Sequence, residues 1–220
     1  MSVSAILFDL DNTLYPASSG LMQGVDTRIT EYVQSRLGLG LEEAMAMRRR
    51  YFLDYGTTLR GLQQHHAIDA EDYLGYVHDL ALDSFLASDA ELDHLLSQVA
   101  ATKAIFTNAP GEYARRVLKV LGIERHFTEV FDIRFCGFRP KPDPMGYQLV
   151  LNTLGTPGAE AILIEDTLKN LAPARELGMT TILVGGQSGN GTAALADYSV
   201  PDILAALRIV LDLEGVGQPV

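Results

Sequence analysis

The chain has 220 residues, 47% of them hydrophobic, with 28 acidic residues against 17 basic ones and a formal net charge of -11. That is enough apolar material for one sizeable domain with a smaller insert, and the negative charge argues against a nucleic-acid polymer as partner. The single cysteine, Cys136, excludes an internal disulfide and a multi-cysteine zinc site, and reads as a buried thiol in a reducing compartment.

No basic leader precedes the first apolar run, and Asp9 interrupts that run far short of signal-peptide length. No window approaches an uncharged membrane span either, so cytoplasmic residence without a membrane partner is expected. Short runs rich in Ile, Val and Phe predict strands at Ala5 to Phe8, Ala104 to Thr107, Val130 to Phe135, Ala161 to Ile164 and Thr181 to Val184, with a weaker one near Tyr198. Helical periodicity falls between them, at Glu112 to Leu121, Met145 to Leu154, Leu168 to Leu177 and Ile203 to Leu213. Strands alternating with helices predict an α/β fold with a parallel sheet.

One interval does not fit. Nearly a hundred residues separate Phe8 from Ala104, and no strand is legible among them. Amphipathic runs at Val25 to Leu37, Leu41 to Leu53 and Asp72 to Leu80, broken by Gly38, Gly40, Gly56 and Gly61, predict a small helical bundle there. The expected division is a core of residues 1–15 and 90–220 and an insert of residues 16–89, with a helix at Ala90 to Val99 returning the chain to the sheet. The tail from Gly215 to Val220 is expected to fray.

Three predicted strands end in polar groups. The first runs into Asp9-Leu10-Asp11-Asn12-Thr13, the second into Thr107-Asn108 and the fourth into Glu165-Asp166. Alternate residues of a strand share a side, and an open parallel sheet opens its cleft at the carboxyl ends of its strands. Four carboxylates converging there repel one another unless a cation lies among them, and hard carboxylate oxygens suit magnesium. Taken alone, an Asp-x-Asp pair is ordinarily a turn or a helix cap. Lys141, in Arg139-Pro140-Lys141-Pro142-Asp143-Pro144, is either a surface turn before a helix or a cation fixed by a stiff loop, and the carboxylates favour the second reading.

Asp9-x-Asp11-x-Thr13, Thr107-Asn108, Lys141 and Glu165-Asp166, in that order, resemble the four motifs of the haloacid dehalogenase superfamily. The resemblance spans nearly the whole chain and implies a Rossmann-like core with a helical cap inserted after the first strand. It implies that Asp9 attacks phosphorus, that Asp11 protonates the leaving oxygen and then activates water, and that Thr107 and the Asn108 amide hold phosphate oxygens. It further implies that Lys141 steadies Asp9, and that magnesium binds the side chains of Asp9 and Asp166 and the carbonyl of Asp11, with Glu165 assisting through water or a neighbouring contact. Asn170 either orients the acidic loop or occupies an exposed helix position. The run Asp11 to Pro16, with Phe106-Thr107-Asn108-Ala109, resembles the pyrimidine 5'-nucleotidase-like branch, although Glu165 stands where that branch commonly carries aspartate.

The expected activity is magnesium-dependent hydrolysis of a small phosphate monoester, with a nucleoside 5'-monophosphate as one candidate. A sugar-phosphate phosphatase, a phosphomutase and a catalytically silent binding module are the alternatives, and oligomeric state is not legible. In the insert, Tyr51, Phe52, Tyr55, Tyr73 and Tyr76 are read as core of the bundle or as base-stacking rings. Arg48-Arg49-Arg50 reads as a solvated face, and His65-His66 as structural or exposed.

Overall fold

The computed structural model describes residues 2–186 and 196–215. The tail beyond Gly215, read above as frayed, lies outside them. In chain order the elements are β1 (Ala5–Phe8), α1 (Leu21–Leu37), α2 (Leu41–Tyr55), α3 (Thr58–His66), α4 (Ala70–Val77), α5 (Ala90–Gln98), β2 (Thr102–Phe106), α6 (Gly111–Leu121) and β3 (Glu129–Phe131). There follow α7 (Pro144–Leu154), β4 (Ala161–Glu165), α8 (Leu168–Glu176), β5 (Thr180–Val184), β6 (Tyr198–Val200) and α9 (Ile203–Glu214). Two compact units result, Met1–Ser18 with Leu86–Val220, and Ser19–Phe85.

The larger unit is built on one sheet in the order β3-β2-β1-β4-β5-β6, with every neighbouring pair parallel. This is the Rossmann-like α/β architecture expected from the sequence. Strands covered on both faces have no reason to alternate in polarity, and β1 and β4 are buried at every position. Leu7, Ala104, Phe106 and Leu163 share a core with Tyr147, Val150 and Leu151 of α7 and Leu171 and Ala174 of α8. The intervening Ile6, Phe8, Ile105 and Ile164 point the other way by the two-residue period and are also fully buried.

Because β1 lies between β2 and β4, the chain leaves toward one side of the sheet and returns on the other. Such a reversal opens a crevice at the carboxyl ends of the strands. The register levels those ends: Phe8 pairs with Ile105 on one side and Ile164 on the other. Asp9, just past β1, Thr107, just past β2, and Glu165, the last residue of β4, therefore emerge at one edge.

Two sequence expectations need correction here. The third strand stops at Phe131 rather than running to Phe135, because Asp132 turns the chain: its Oδ1 accepts the Phe135 amide and its Oδ2 the Gly111 amide. Gly61, read as a helix breaker, lies inside α3 instead. A Cβ at that position would come within 2.3 Å of the Tyr51 ring, so glycine is what lets α3 pack on α2.

The smaller unit holds α1 to α4. Its aromatic centre sets the rings of Tyr32 and Tyr73 edge to face at 5.1 Å, and the Tyr32 hydroxyl donates to Asp72 at 2.6 Å. Arg48 pairs with Asp26 at 2.6 Å. His66 Nε2 meets the Tyr51 hydroxyl at 2.8 Å, and His65 meets that of Tyr55, so the histidine pair braces α3 against α2.

Candidate active site

Asp9 is the first residue beyond β1, anchored by its amide, which donates to the Ile164 carbonyl at 2.9 Å. Its carboxylate is divided between two donors: Thr13 Oγ1 donates to Oδ2 at 2.8 Å, and Lys141 Nζ donates to Oδ1 at 2.7 Å. The same ammonium donates to Glu165 Oε2 and to the Phe106 carbonyl, each at 2.7 Å. Its three protons are thus fully committed, in a side chain only 1% exposed.

The loop that delivers Lys141 is tied down at both ends. Asn108 Oδ1 accepts the Lys141 amide at 2.7 Å, and Asn108 Nδ2 donates to the Lys141 carbonyl at 3.3 Å. Asp143 then caps α7 by accepting the Met145 amide, with Pro144 opening the helix. The sequence motif pointed to the Asn108 amide; its side chain turns out to be the brace of the Lys141 loop. Thr107 is buried, and its hydroxyl accepts the Ala109 amide at 3.0 Å, which leaves the hydroxyl proton to donate elsewhere.

Asp11 has a different setting. Tyr15 and Tyr113 both donate to its Oδ1, at 2.5 and 3.0 Å. Neither tyrosine was singled out from the sequence, and nothing local marks Tyr113, which reaches Asp11 across 102 positions. Asp166 accepts the Thr167 hydroxyl at 3.0 Å, and Glu165 Oε1 accepts the Thr167 amide at 3.1 Å.

Carboxylate oxygens of Asp9, Glu165 and Asp166 lie within 4.8 Å of one another. The side chain of Asp11 is not among them. Burial, with the charge of Glu165 adding to it, lifts the pKa of Asp9 to about 6 despite Lys141 and Thr13. Burial likewise holds Glu165 above the carboxylate range, and burial with the charge of Asp9 does so for Asp166. Asp11 is lifted to about 6, chiefly by burial, against the hydrogen bond from Tyr15. Burial pulls Lys141 down, but the charges of Asp9 and Glu165 together raise its pKa above that of an ordinary lysine.

A hard, divalent cation suits this donor set. It relieves repulsion that one ammonium leaves only partly compensated. Two further acceptors support the fit: Asn12 Oδ1, one residue after Asp11, and Asn170 Oδ1, four after Asp166, are buried without a hydrogen-bond partner among the described residues. A hydrated cation supplies donors of the kind they lack. Asn170 is buried at the start of α8, which removes the exposed-position reading.

The model of the haloacid dehalogenase-like hydrolases matches residues 3–178. Phosphate metabolism protein 8 of Saccharomyces cerevisiae is 29% identical over 195 residues, which cover 80% of this chain but only 60% of that protein. Probable phosphatase IndB of Dickeya dadantii is 24% identical over 186 residues, 80% of this chain and 79% of that one. Among solved structures, a HAD phosphatase from Thermococcus onnurineus superposes with a TM-score of 0.64 at 22% identity, covering 95% of this chain and 98% of its own. The family match encloses every residue of the site from Asp9 to Asn170, and the chain belongs to the haloacid dehalogenase-like hydrolases.

Proposed function

We propose that the chain, a phosphoric monoester hydrolase of this family, works through an aspartyl-phosphate on Asp9, with magnesium, on a small phosphorylated metabolite. The observation that carries this reading is the position of Asp9: it projects from the sheet's switch point, held by Thr13 and Lys141, with Asp11 two residues further on.

In the first half-reaction an oxygen of Asp9 bonds to phosphorus as the bond to the leaving oxygen breaks, and Asp11, protonated, delivers its proton to that oxygen. In the second, Asp11 takes a proton from water as the water oxygen bonds to phosphorus, and Asp9 is released. The sum is ester and water to alcohol and phosphate, with Asp11 protonated again. Lys141 holds Asp9 in place and offsets charge. The Thr107 hydroxyl and the Asn108 amide bind phosphoryl oxygens, a role the buried Thr107 proton suits. Magnesium would be held by the side chains of Asp9 and Asp166 and the Asp11 carbonyl, with Glu165 beside them. When bound, it supplies positive charge that offsets the phosphoryl oxygens and the carboxylate cluster.

A dehalogenase also uses an aspartate nucleophile but has no need of this second set of acids, and for that reason we set it aside. Substrate choice falls to the insert, which contributes none of these residues. The finer reading, a nucleoside 5'-monophosphate, rests on the run Asp11 to Pro16. Of the five rings proposed to meet a base, Tyr51 and Tyr73 are buried core, whereas Phe52 is 49% exposed and is the candidate we retain. Phe52→Leu is expected to lower kcat/KM for the nucleotide about tenfold, from a stacking contact of roughly 1–3 kcal/mol, without affecting a small aryl phosphate.

The test is a panel of phosphate esters assayed for free phosphate with magnesium and with chelator. Release that survives the chelator in full contradicts the metal; phosphate moved onto a sugar without net release reassigns the enzyme as a phosphomutase. Asp11→Asn is expected to accumulate phosphoenzyme from esters with good leaving groups.

A further inference from the structure

Among the described residues, Asp11 is the one carboxylate of the site whose hydrogen bonds all come from phenols. Tyr15, in the loop that leaves β1, and Tyr113, in the first turn of α6, are 2% and 1% exposed, and both hydroxyls fall on Oδ1. The terminal torsion of an aspartate is broad and roughly two-fold. A carboxylate bonded at one oxygen from two directions loses that freedom, and its other oxygen, Oδ2, takes a fixed bearing. Buried tyrosines do need partners for their hydroxyls, but a buried phenol can satisfy itself on any carbonyl. Here two from separate elements choose the same oxygen of the residue that must move a proton.

We propose that Tyr15 and Tyr113 are positioning residues that aim Asp11, leaving Oδ2 as the atom that gives the proton to the leaving oxygen and later takes one from water. The inference rests on the acid and base role of Asp11 proposed above. It adds to the reaction two residues that bond to Asp11. Each acts only through the bearing of Asp11, so their loss must weigh most where proton delivery matters most.

That condition defines the test. The kcat/KM value reports steps up to departure of the leaving group, and kcat also reports hydrolysis of the phosphoenzyme. An acidic phenol leaves without a proton, whereas an alcohol needs one. Full-length Tyr15→Phe, Tyr113→Phe and the double variant, with magnesium present, are compared with wild type on a series of aryl phosphates of graded phenol acidity and on an alkyl phosphate. Positioned proton transfer is worth about 10²–10⁴-fold, so partial loss of aim is expected to cost the alkyl ester about tenfold or more in kcat/KM. For the most acidic phenol kcat/KM should fall less than about threefold, while kcat falls further and phosphoenzyme builds up.

Equal losses across the series in both single variants mean that the hydroxyls serve folding alone, and overturn the proposal. Asp11→Asn is the control that separates the two claims. If it shows the leaving-group dependence and the tyrosine variants do not, the positioning role fails while the role of Asp11 stands. If Asp11→Asn hydrolyses the alkyl ester at the wild-type kcat/KM, the acid role itself fails, and the positioning role with it. Each single variant removes one donor and keeps the ring, so if the double variant does not fold, either single one decides the matter.

Discussion

Replacing Lys141 by Met tests how the site is held together before any substrate arrives. The side chain is 1% exposed and donates to Asp9, Glu165 and the Phe106 carbonyl, so the variant strands two buried carboxylates and one carbonyl at once. Breaking a buried ion pair from one side costs about 3–5 kcal/mol. At roughly 2–4 °C per kcal/mol for a chain of this size, the melting midpoint should drop by about 6–20 °C. The loss must also depend on pH. An acid whose folded pKa lies above its unfolded value costs nothing while both states are protonated, and the cost grows as pH rises toward the folded pKa. Asp9 already sits at about 6 with Lys141 present, and without it both carboxylates are pushed further up. The deficit of Lys141→Met, measured by thermal melts in chelator, should therefore be largest near pH 8 and shrink toward pH 5. A loss below about 1 kcal/mol, or one independent of pH over that range, would refute the reasoning that Lys141 neutralises this cluster.

Three more expectations follow from the same geometry. Asp9→Asn should lower turnover by at least about 10⁴-fold, on the scale of other nucleophile deletions. It should melt in chelator at or above the wild-type midpoint, because it removes one charge from a repelling group; a lower midpoint would contradict that. Metal-free protein should lose stability as pH rises from about 4 through 6, since Asp9 and Asp11 both carry raised pKa values. Magnesium should accordingly raise the midpoint more at about pH 7.5 than at about pH 5, and equal shifts would count against a metal among these acids. Gly61→Ala should destabilise the insert by about 1–3 kcal/mol through overpacking against Tyr51, read as faster proteolysis within Ser19–Phe85; an unchanged cleavage rate would mean that α2 and α3 are loosely packed.

Most of the sheet was legible because its central strands are short apolar runs cut off by a turn, and β1 and β4 were readable nearly to the residue. The third strand was overdrawn because Ile133 and Phe135 are apolar as well. Only the side chain of Asp132, bonded to two backbone amides, shows that the chain turns there. The helix α3 was missed because glycine is ordinarily a breaker, and its use for close packing depends on Tyr51, a partner in another helix. At the site, the acids and Lys141 could be read from strand ends and a proline-rich loop. Their division of labour could not, because it is set by contacts between distant segments. Lys141 bridges Asp9 and Glu165, Asn108 grips the Lys141 backbone, and Tyr113 reaches Asp11 from α6.

The central claim is that phosphate rests on Asp9 between two chemical steps. Rapid acid quench of the enzyme during turnover of an aryl phosphate with magnesium, followed by reductive trapping of acyl phosphates and peptide mapping, addresses it directly. The account predicts one phosphoryl group per active chain, confined to Asp9, accumulating further in Asp11→Asn and absent from Asp9→Asn. Turnover that releases phosphate in a rapid single phase with no acyl phosphate on Asp9, or with the label on Asp11 or Asp166 instead, would contradict it.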